Sequence, residues 1–221
     1  TATTEIYTLS LHDALPISLA PETVSFGAIF RRVSYQDRRF FSLSLGGLVN
    51  NLNDVVIWGL MPLAVISADI PTERAAALGA TYLAVWGISQ VFSGTLSDRT
   101  GRKPWITGGL WVQAFGISLM AFGTGELVWF GAAALMGLGT GMVYPTLLAA
   151  MSDLAHPSWR ASALGIYRLW RDSGYAIGAI IGGLLADMFN LPIAMFAIAL
   201  LTAIAGGVTL IWLPETRAQS R

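Results

Sequence analysis

Long apolar stretches, separated by short polar ones, run along most of this chain. A helix needs about 20 mostly apolar residues to cross a bilayer. Six stretches are long enough, at residues 40–67, 74–96, 104–123, 127–151, 161–187 and 191–213. Backbone polar groups in lipid must be satisfied within the segment, so each stretch is predicted to be helical. The pattern predicts an all-α integral membrane protein with six transmembrane helices.

Composition supports a membrane protein and gives no sign of an enzyme. Charged residues make up 12% of the chain, about half the share in soluble proteins. The chain has no cysteine, so disulfides and thiolate metal sites are excluded. Beyond the first eighteen residues we find no nucleophile–histidine pair, metal-ligand cluster or nucleotide motif. We therefore expect no catalysis, cofactor, metal or nucleic-acid partner.

Basic residues predict the orientation of the helices. Of the 13 Lys and Arg residues, all except Arg74 fall on one side of the predicted membrane. By the positive-inside rule that side is the cytoplasm, and both termini lie there. An even number of helices with both ends inside is self-consistent, and a bacterial cytoplasmic (inner) membrane is the expected location.

A short charged segment, predicted to be a loop, separates the second apolar stretch from the third. Residues 94–104 read Gly-Thr-Leu-Ser-Asp-Arg-Thr-Gly-Arg-Lys-Pro. This resembles the G-x-L-x-D-R-x-G-R-K signature of the major facilitator superfamily of secondary transporters, and the resemblance extends over about residues 26–217. In that family the charges form a gate that holds the cytoplasmic ends together. The candidate gating residues carried by this segment are Gly94, Asp98, Arg99, Gly101, Arg102 and Lys103. Gly94 is expected to let a helix end approach its neighbour closely, and Gly101 to permit a tight turn.

The resemblance also implies a fold and a partner. It implies half of a transporter, six helices arranged as two inverted three-helix repeats. Its partner would be a missing N-terminal half. A weak internal echo agrees, since Gly59 and Pro62 in the first helix are matched by Gly141 and Pro145 in the fourth. Gly and Pro are also simply common in membrane helices, so this echo has a second explanation.

Three features favour the C-terminal half. The basic segment 26–39 is similar to the family's interdomain linker, the segment 47–54 resembles the seventh helix of one branch of the family, and the chain ends in Leu-Pro-Glu-Thr at 213–216. An N-terminal half remains the alternative, because both halves can carry the charged signature.

The chain divides into four predicted regions. Residues 1–18 are expected to be a non-native tail, because residues 4–18 resemble a translated sequencing adapter; a native amphipathic tail is the alternative. Residues 19–39 are predicted to form a cytoplasmic linker with an interfacial amphipathic helix. Residues 40–213 form the transmembrane bundle, and 214–221 a cytoplasmic tail.

A second cytoplasmic pair supports the gate. Asp153 ends the fourth helix and Arg160 opens the fifth. They resemble the family's acidic residue that is followed by Pro and Arg. We expect Asp153 to pair with Arg102, and Arg160 with Asp98. Exposed pairs contribute only about 0–1 kcal/mol each, but several together bias an equilibrium between two states. A purely topogenic loop is the alternative.

The first helix carries the polar residues that point to transport chemistry. Asp54 lies near mid-depth, where a carboxylate costs roughly 2.5–3.5 kcal/mol on insertion scales. Asn50 and Trp58 share its face at i−4 and i+4, with Asn53 nearby. We expect these residues to line a central cavity, with Asp54 binding a proton or a cationic part of the substrate. A structural polar contact between helices is the alternative.

Other helices contribute further candidates. Tyr82, Trp86 and Gln90 repeat at i,i+4 in the second helix, and Tyr144 lies in the fourth. In the fifth helix, Arg168 and Asp172 are spaced to pair, and Arg171 lies beside them. These charges are expected either to line the cavity or to reach the cytoplasmic interface.

The predicted function is secondary active transport of a small solute by alternating access, driven by an ion gradient, with protons as the expected ion. The expected partners are the small-molecule substrate, protons and the lipid bilayer. A non-transporting membrane scaffold or sensor is the alternative. A scaffold has no use for a mid-membrane carboxylate, which argues against it.

Overall fold

The computed structural model describes residues 24–68 and 70–216. Every regular element in those residues is helical. The expectations for residues 1–18 lie outside the described residues, as do those for the tail from 217 onward. The helices are α1 (Phe26–Arg31), α2 (Arg38–Leu52), α3 (Met61–Ser67), α4 (Thr72–Thr100), α5 (Arg102–Phe122), α6 (Glu126–Leu154), α7 (Arg160–Met188) and α8 (Leu191–Trp212).

Five of these segments are long and apolar enough to cross a membrane. They are α4, α5, α6, α8 and the continuous segment Arg38–Ser67, which contains α2 and α3. Helix α7 is 29 residues long, as long as α4 and α6, but three charges near its middle lower its hydropathy. It packs lengthwise on α2 through Gly174 and Gly178, where an added Cβ would meet the backbone of Leu48 and Leu52. This close packing makes α7 the sixth long helix of the bundle.

The packing pattern agrees with two three-helix repeats. The first repeat consists of Arg38–Ser67, α4 and α5, and the second consists of α6, α7 and α8. The second helix of each repeat packs mainly on the first helix of the other, α4 on α6 and α7 on α2. The third helices, α5 and α8, pack against each other and against α6 and α2. Such an exchange is expected of inverted repeats.

The basic segment before the bundle is docked onto it. Helix α1 continues as a π-helical stretch, Arg32–Gln36, and buries Ile29 and Val33 in the core. Asp37 caps α2 by accepting from the Arg39 backbone N–H at 3.0 Å. The Arg39 guanidinium also donates to this carboxylate and holds the pKa of Asp37 below its usual range. Contacts within the protein therefore hold this segment in place, in addition to any contact that it makes with lipid.

Candidate functional site

The first membrane segment is broken where its carboxylate lies. Regular α-helix ends at Leu52, and a π-helical turn follows at Val56–Leu60. Pro62 explains the wide turn, because it has no N–H to donate and its ring clashes with the carbonyl four residues earlier. Single π-turns often occur at functional sites. Asp54 stands between the two irregularities and is 9% exposed.

Asp54 is held by hydroxyl groups from neighbouring helices. Tyr82 Oη on α4 donates to Asp54 Oδ1 at 2.7 Å. The same hydroxyl lies 3.2 Å from Thr140 Oγ1 on α6, and Thr140 donates to the Met136 carbonyl at 2.9 Å. Tyr175 on α7 is the other hydroxyl close to the carboxylate. The sequence pattern identified Tyr82 but missed Thr140, which lies in a glycine-rich stretch with no polar periodicity.

A pocket opens beside this carboxylate. Its volume is about 270 Å³. Trp58 and Tyr175 supply the aromatic walls, and each is about half exposed. The lining residues are Asp54, Val55, Trp58, Gly59, Tyr175 and Ala179. A carboxylate with aromatic walls suits a proton or an organic cation.

The asparagines of α2 lie elsewhere. Asn53 Nδ2 donates to Gln113 Oε1 on α5 at 2.6 Å, and Gln113 Nε2 donates to Asn50 Oδ1 at 2.9 Å. Thr202 Oγ1 on α8 donates to Asn53 Oδ1 at 2.7 Å. The structure thus places Asn50 and Asn53 in a buried contact between three helices rather than on the wall of the Asp54 pocket. Regular α-helix ends at Leu52, between Asn50 and Asp54, and the two side chains contact different helices.

Aromatic rings connect the pocket to Arg171 on α7. Trp58 stands edge-on to Tyr82 with ring centroids 6.3 Å apart, and Tyr82 lies 5.9 Å from Trp86. Trp86 in turn lies 6.0 Å from Tyr144 on α6. Gln90, one turn beyond Trp86, has its backbone N–H close to Gly141. Four rings, those of Trp58, Tyr82, Trp86 and Tyr144, therefore form one aromatic line.

The charges of α7 pair differently from the expected spacing. Arg171 Nε bonds its neighbour Asp172 at 2.7 Å, so the expected Arg168–Asp172 pair is not formed. Arg171 Nη1 donates to Tyr144 Oη at 3.1 Å, and its guanidinium lies 5.3 Å from the Tyr144 ring centroid. Arg168 is exposed. Arg171 closes the aromatic line, and Arg168 lies outside it.

Arg102 is the centre of the charged end. Its Nη1 lies 2.5 Å from Asp98 Oδ1, and its Nε lies 3.0 Å from Asp153 Oδ2. Nη1 also donates to Ser97 Oγ at 3.0 Å. Arg102 is 7% exposed. One buried guanidinium thus joins the end of α4, the start of α5 and the end of α6, including the expected Asp153 contact.

A carboxylate from the end of the chain completes this junction. Glu215 Oε1 accepts from the backbone N–H of Arg102 at 2.6 Å and of Lys103 at 3.4 Å. It therefore caps the N-terminus of α5, where an anion is favoured. Gly101 makes the reversal between α4 and α5 with φ 104°, as its place in the signature predicts. The sequence pattern gave Glu215 no role, because Glu215 lies more than a hundred residues from its partners.

Three expectations for this end need correction. The segment 94–104 is not a loop, since α4 runs to Thr100 and α5 begins at Arg102. A Cβ on Gly94 would meet no atom within 4 Å in the described residues, so no close helix approach requires this glycine. Arg160 Nε donates to the Ala155 carbonyl at 3.4 Å and forms no pair with Asp98. Asp98 forms its ion pair with Arg102 instead. Arg99 is exposed and Lys103 half-buried.

Comparison with known proteins gives one family. The model described as Major Facilitator Superfamily matches residues 43–221. The multidrug resistance protein MdtH of Yersinia enterocolitica is 30% identical over 141 residues, covering 64% of this chain and 35% of that protein. Multidrug resistance protein D of Escherichia coli strain K12 is 33% identical over 140 residues, covering 62% of this chain and 34% of that protein.

A solved structure agrees at the level of the fold. A mutant of the peptide transporter POT in complex with alafosfalin superposes with a TM-score of 0.68 at 20% identity. The match covers 86% of this chain and 42% of that one. The matched part of this chain thus spans about a third of the length of the curated relatives, and less than half of the solved transporter.

Proposed function

This chain belongs to the Major Facilitator Superfamily, and we propose that it forms six helices of a secondary transporter that moves a small solute by alternating access. The matched relatives are much longer than the aligned region. In this proposal a second six-helix half completes the transporter, and this chain supplies its C-terminal half. The docked basic segment 26–39 fits the position of a linker between halves. The membrane is the bacterial inner membrane, with both termini in the cytoplasm.

Asp54 is the observation that supports coupling to protons. Among the described residues no cationic side chain contacts Asp54, and a buried carboxylate of this kind beside a pocket is an expensive feature in a membrane. Its environment consists of hydroxyl groups and aromatic rings. Such a group can exist as an anion hydrogen-bonded to Tyr82 or as a neutral acid. We propose that it alternates between the two as protons move through the pocket.

The pocket also indicates the class of solute. Trp58 and Tyr175 line the pocket beside Asp54, and aromatic rings attract organic cations. Two matched relatives carry the name multidrug resistance protein. We propose a small organic solute with an aromatic or cationic part. In the transport cycle it competes with the proton for Asp54.

The test uses the complete transporter in inverted and right-side-out vesicles with an imposed pH gradient. Asp54→Asn imitates the protonated form, so gradient-driven transport should be lost while solute binding or exchange persists. Asp54→Glu should retain part of the activity with a displaced pH optimum. Asp187→Asn is the matched control, because it removes an exposed carboxylate from the end of α7 and should transport at the native rate.

Two outcomes would refute the proposal. An Asp54→Asn protein that still accumulates solute against its gradient would leave Asp54 as a structural contact. A folded complete protein that moves none of a panel of organic cations and neutral aromatic solutes, with or without a gradient, would favour the scaffold or sensor alternative.

A further inference from the structure

Asp54, Tyr82, Thr140 and the Met136 carbonyl form one continuous line of hydrogen-bonding groups. The line starts beside the pocket, passes through α4 and ends on α6, with successive distances of 2.7, 3.2 and 2.9 Å. Tyr82 is 1% exposed and Thr140 is 3% exposed. Bulk water is therefore excluded from both hydroxyls, and each must find its hydrogen-bond partners among the other groups of the line.

The hydrogen bonds along this line can point in either of two directions. A hydroxyl has one hydrogen to donate and can accept through its oxygen. When Asp54 is an anion it only accepts, so Tyr82 donates to it, and Thr140 is free to donate to Tyr82 Oη. When Asp54 is protonated it can donate to Tyr82 Oη. Tyr82 then donates to Thr140 Oγ1, and Thr140 donates to the Met136 carbonyl.

We infer that this line reverses its direction each time Asp54 gains or loses a proton, with Tyr82 and Thr140 as positioning residues. The inference rests on the proposed role of Asp54 as a proton carrier. The proton itself enters Asp54 from water in the pocket and returns there. The two hydroxyls only rotate, so the line moves no net proton. Tyr82 stabilises the anion, and Thr140 stabilises the neutral acid by accepting from Tyr82.

Close packing keeps the line in register. A Cβ on Gly137 would overlap the Tyr82 carbonyl, so α4 and α6 touch one turn from Thr140. Trp58 covers the Tyr82 ring edge-on. Since neither helix can move apart without losing these contacts, a reversed hydrogen bond changes the stability of the α4–α6 contact. Protonation on the first membrane segment is thereby communicated to two other helices.

Few other titratable groups face Asp54 in the described residues. Tyr82 on α4 and Tyr175 on α7 are the two that contact it. Arg171 and Asp172 lie about one turn from Tyr175 on α7 and pair with each other. Helix α6 presents Thr140, and the contacts from α5 and α8 are uncharged and go to Asn53.

Two nearly isosteric variants test the line with opposite expected signs. Infrared difference spectra of the complete transporter in liposomes would follow, against pH, the carboxylic-acid carbonyl band that Asp54→Asn removes. Tyr82→Phe removes a donor that serves the anion more strongly than the acid, because bonds to charged groups are stronger. In the Tyr82→Phe variant the titration midpoint of Asp54 should rise by roughly half to one pH unit. Thr140→Val leaves Tyr82 without an acceptor in the acid form, so its midpoint should fall by a similar amount.

Controls separate this line from general effects on the fold. Thr140→Ser keeps the hydroxyl and should titrate as the native chain does. In a Tyr82→Phe background, Thr140→Val should have no further effect, because the line is already cut at Tyr82. Thermal unfolding of each variant shows whether it is folded before it is titrated.

The results distinguish the two proposals. Midpoints that stay unchanged, move in the same direction or add in the double variant would overturn the hydrogen-bond line. Those results would leave the transport role of Asp54 intact if Asp54→Asn abolishes coupled transport. If the opposite shifts are seen but transport ignores the pH gradient, the line stands as a property of the chain and the proposed coupling fails.

Discussion

At the scale of the residue, Arg102 shows how a short motif depends on its surroundings. Its guanidinium binds two carboxylates and one hydroxyl. Asp98 is about half exposed, which limits the value of that pair to about 1 kcal/mol or less. The strength of the junction comes from the burial of Arg102 and from its contacts to three helix ends. A change that separates those ends must break all of these contacts together.

We predict that Arg102→Ala in the complete transporter shifts the resting population toward the inward-facing state and lowers the transport rate severalfold, with little loss of folding. The physical reason is that the guanidinium holds the ends of α4, α5 and α6 together, which in the proposed gating role closes the cytoplasmic side. Accessibility of a cysteine placed on the cytoplasmic side of the pocket, measured with a soluble thiol reagent, reports the population.

Lys103→Ala is the comparison variant, because Lys103 belongs to the same charged segment but lies outside the contacts of the Arg102 guanidinium. It removes the neighbouring positive charge but keeps the backbone N–H that faces Glu215. A native transport rate in Arg102→Ala would mean that the motif acts only on membrane topology. Equal losses in both variants would mean that net charge, not the shared guanidinium, is what matters.

At the scale of the element, α6 is built around glycine. Gly137 faces the α4 backbone, and an added Cβ on Gly139 would lie 2.6 Å from the Gly109 carbonyl on α5. Gly141 faces Ser89, and the Gly141 carbonyl accepts from Ser93 Oγ at 2.5 Å. Small residues let membrane helices approach closely, so these glycines set the position of α6 between α4 and α5.

We predict that Gly137→Ala destabilises the bundle by about 1–3 kcal/mol, because the new methyl group overlaps backbone that cannot move aside. Gly131→Ala on the same helix is the control, since a Cβ there meets nothing within 4 Å. It should be neutral or stabilising by up to about 1 kcal/mol through helix propensity. Denaturant unfolding in mixed micelles gives both values, and equal values for the two variants would contradict the packing described here.

At the scale of the whole molecule, the distribution of exposed apolar surface is uneven. In an 18-residue apolar stretch of α4 only 17% of the residues are buried within the chain, against 61% in a stretch of the same length within Arg38–Ser67. Helix α4 therefore has its apolar outer face free for lipid or for a second half, while the Asp54 segment is enclosed. The chain is an integral membrane protein in which the polar chemistry lies inside the bundle.

We predict that cysteines at Pro71 and Thr124 react with a membrane-impermeant reagent added outside intact cells, and that a cysteine at Ser158 does not. The positive-inside rule is the reason. The chain has no native cysteine, so each single variant reports one site in the complete transporter. Disrupting the membrane should expose the Ser158 site, and the reverse labelling pattern would overturn the topology.

The sequence by itself determined the class of fold. The length and spacing of the apolar stretches require transmembrane helices, because an unpaired backbone group in lipid costs several kcal/mol. The spacing of the 94–104 signature indicated the family and gave Gly101, whose positive φ is a local property of the turn. The contact of Arg102 with Asp153 also followed from the pattern, since both lie at helix ends on one side of the membrane.

Only the tertiary structure decided which polar groups meet. Helical periodicity placed Asn50 on the face of Asp54, but in the bundle Asp54 meets Tyr82 on α4, whereas Asn50 meets Gln113 on α5. Thr140 and Glu215 acquire partners 58 and 113 residues away. No local pattern encodes these contacts, because they depend on how glycine faces bring α4, α6 and the chain end together. Apolar length is read along one helix, whereas hydrogen bonding inside the bundle is set by the packing of several.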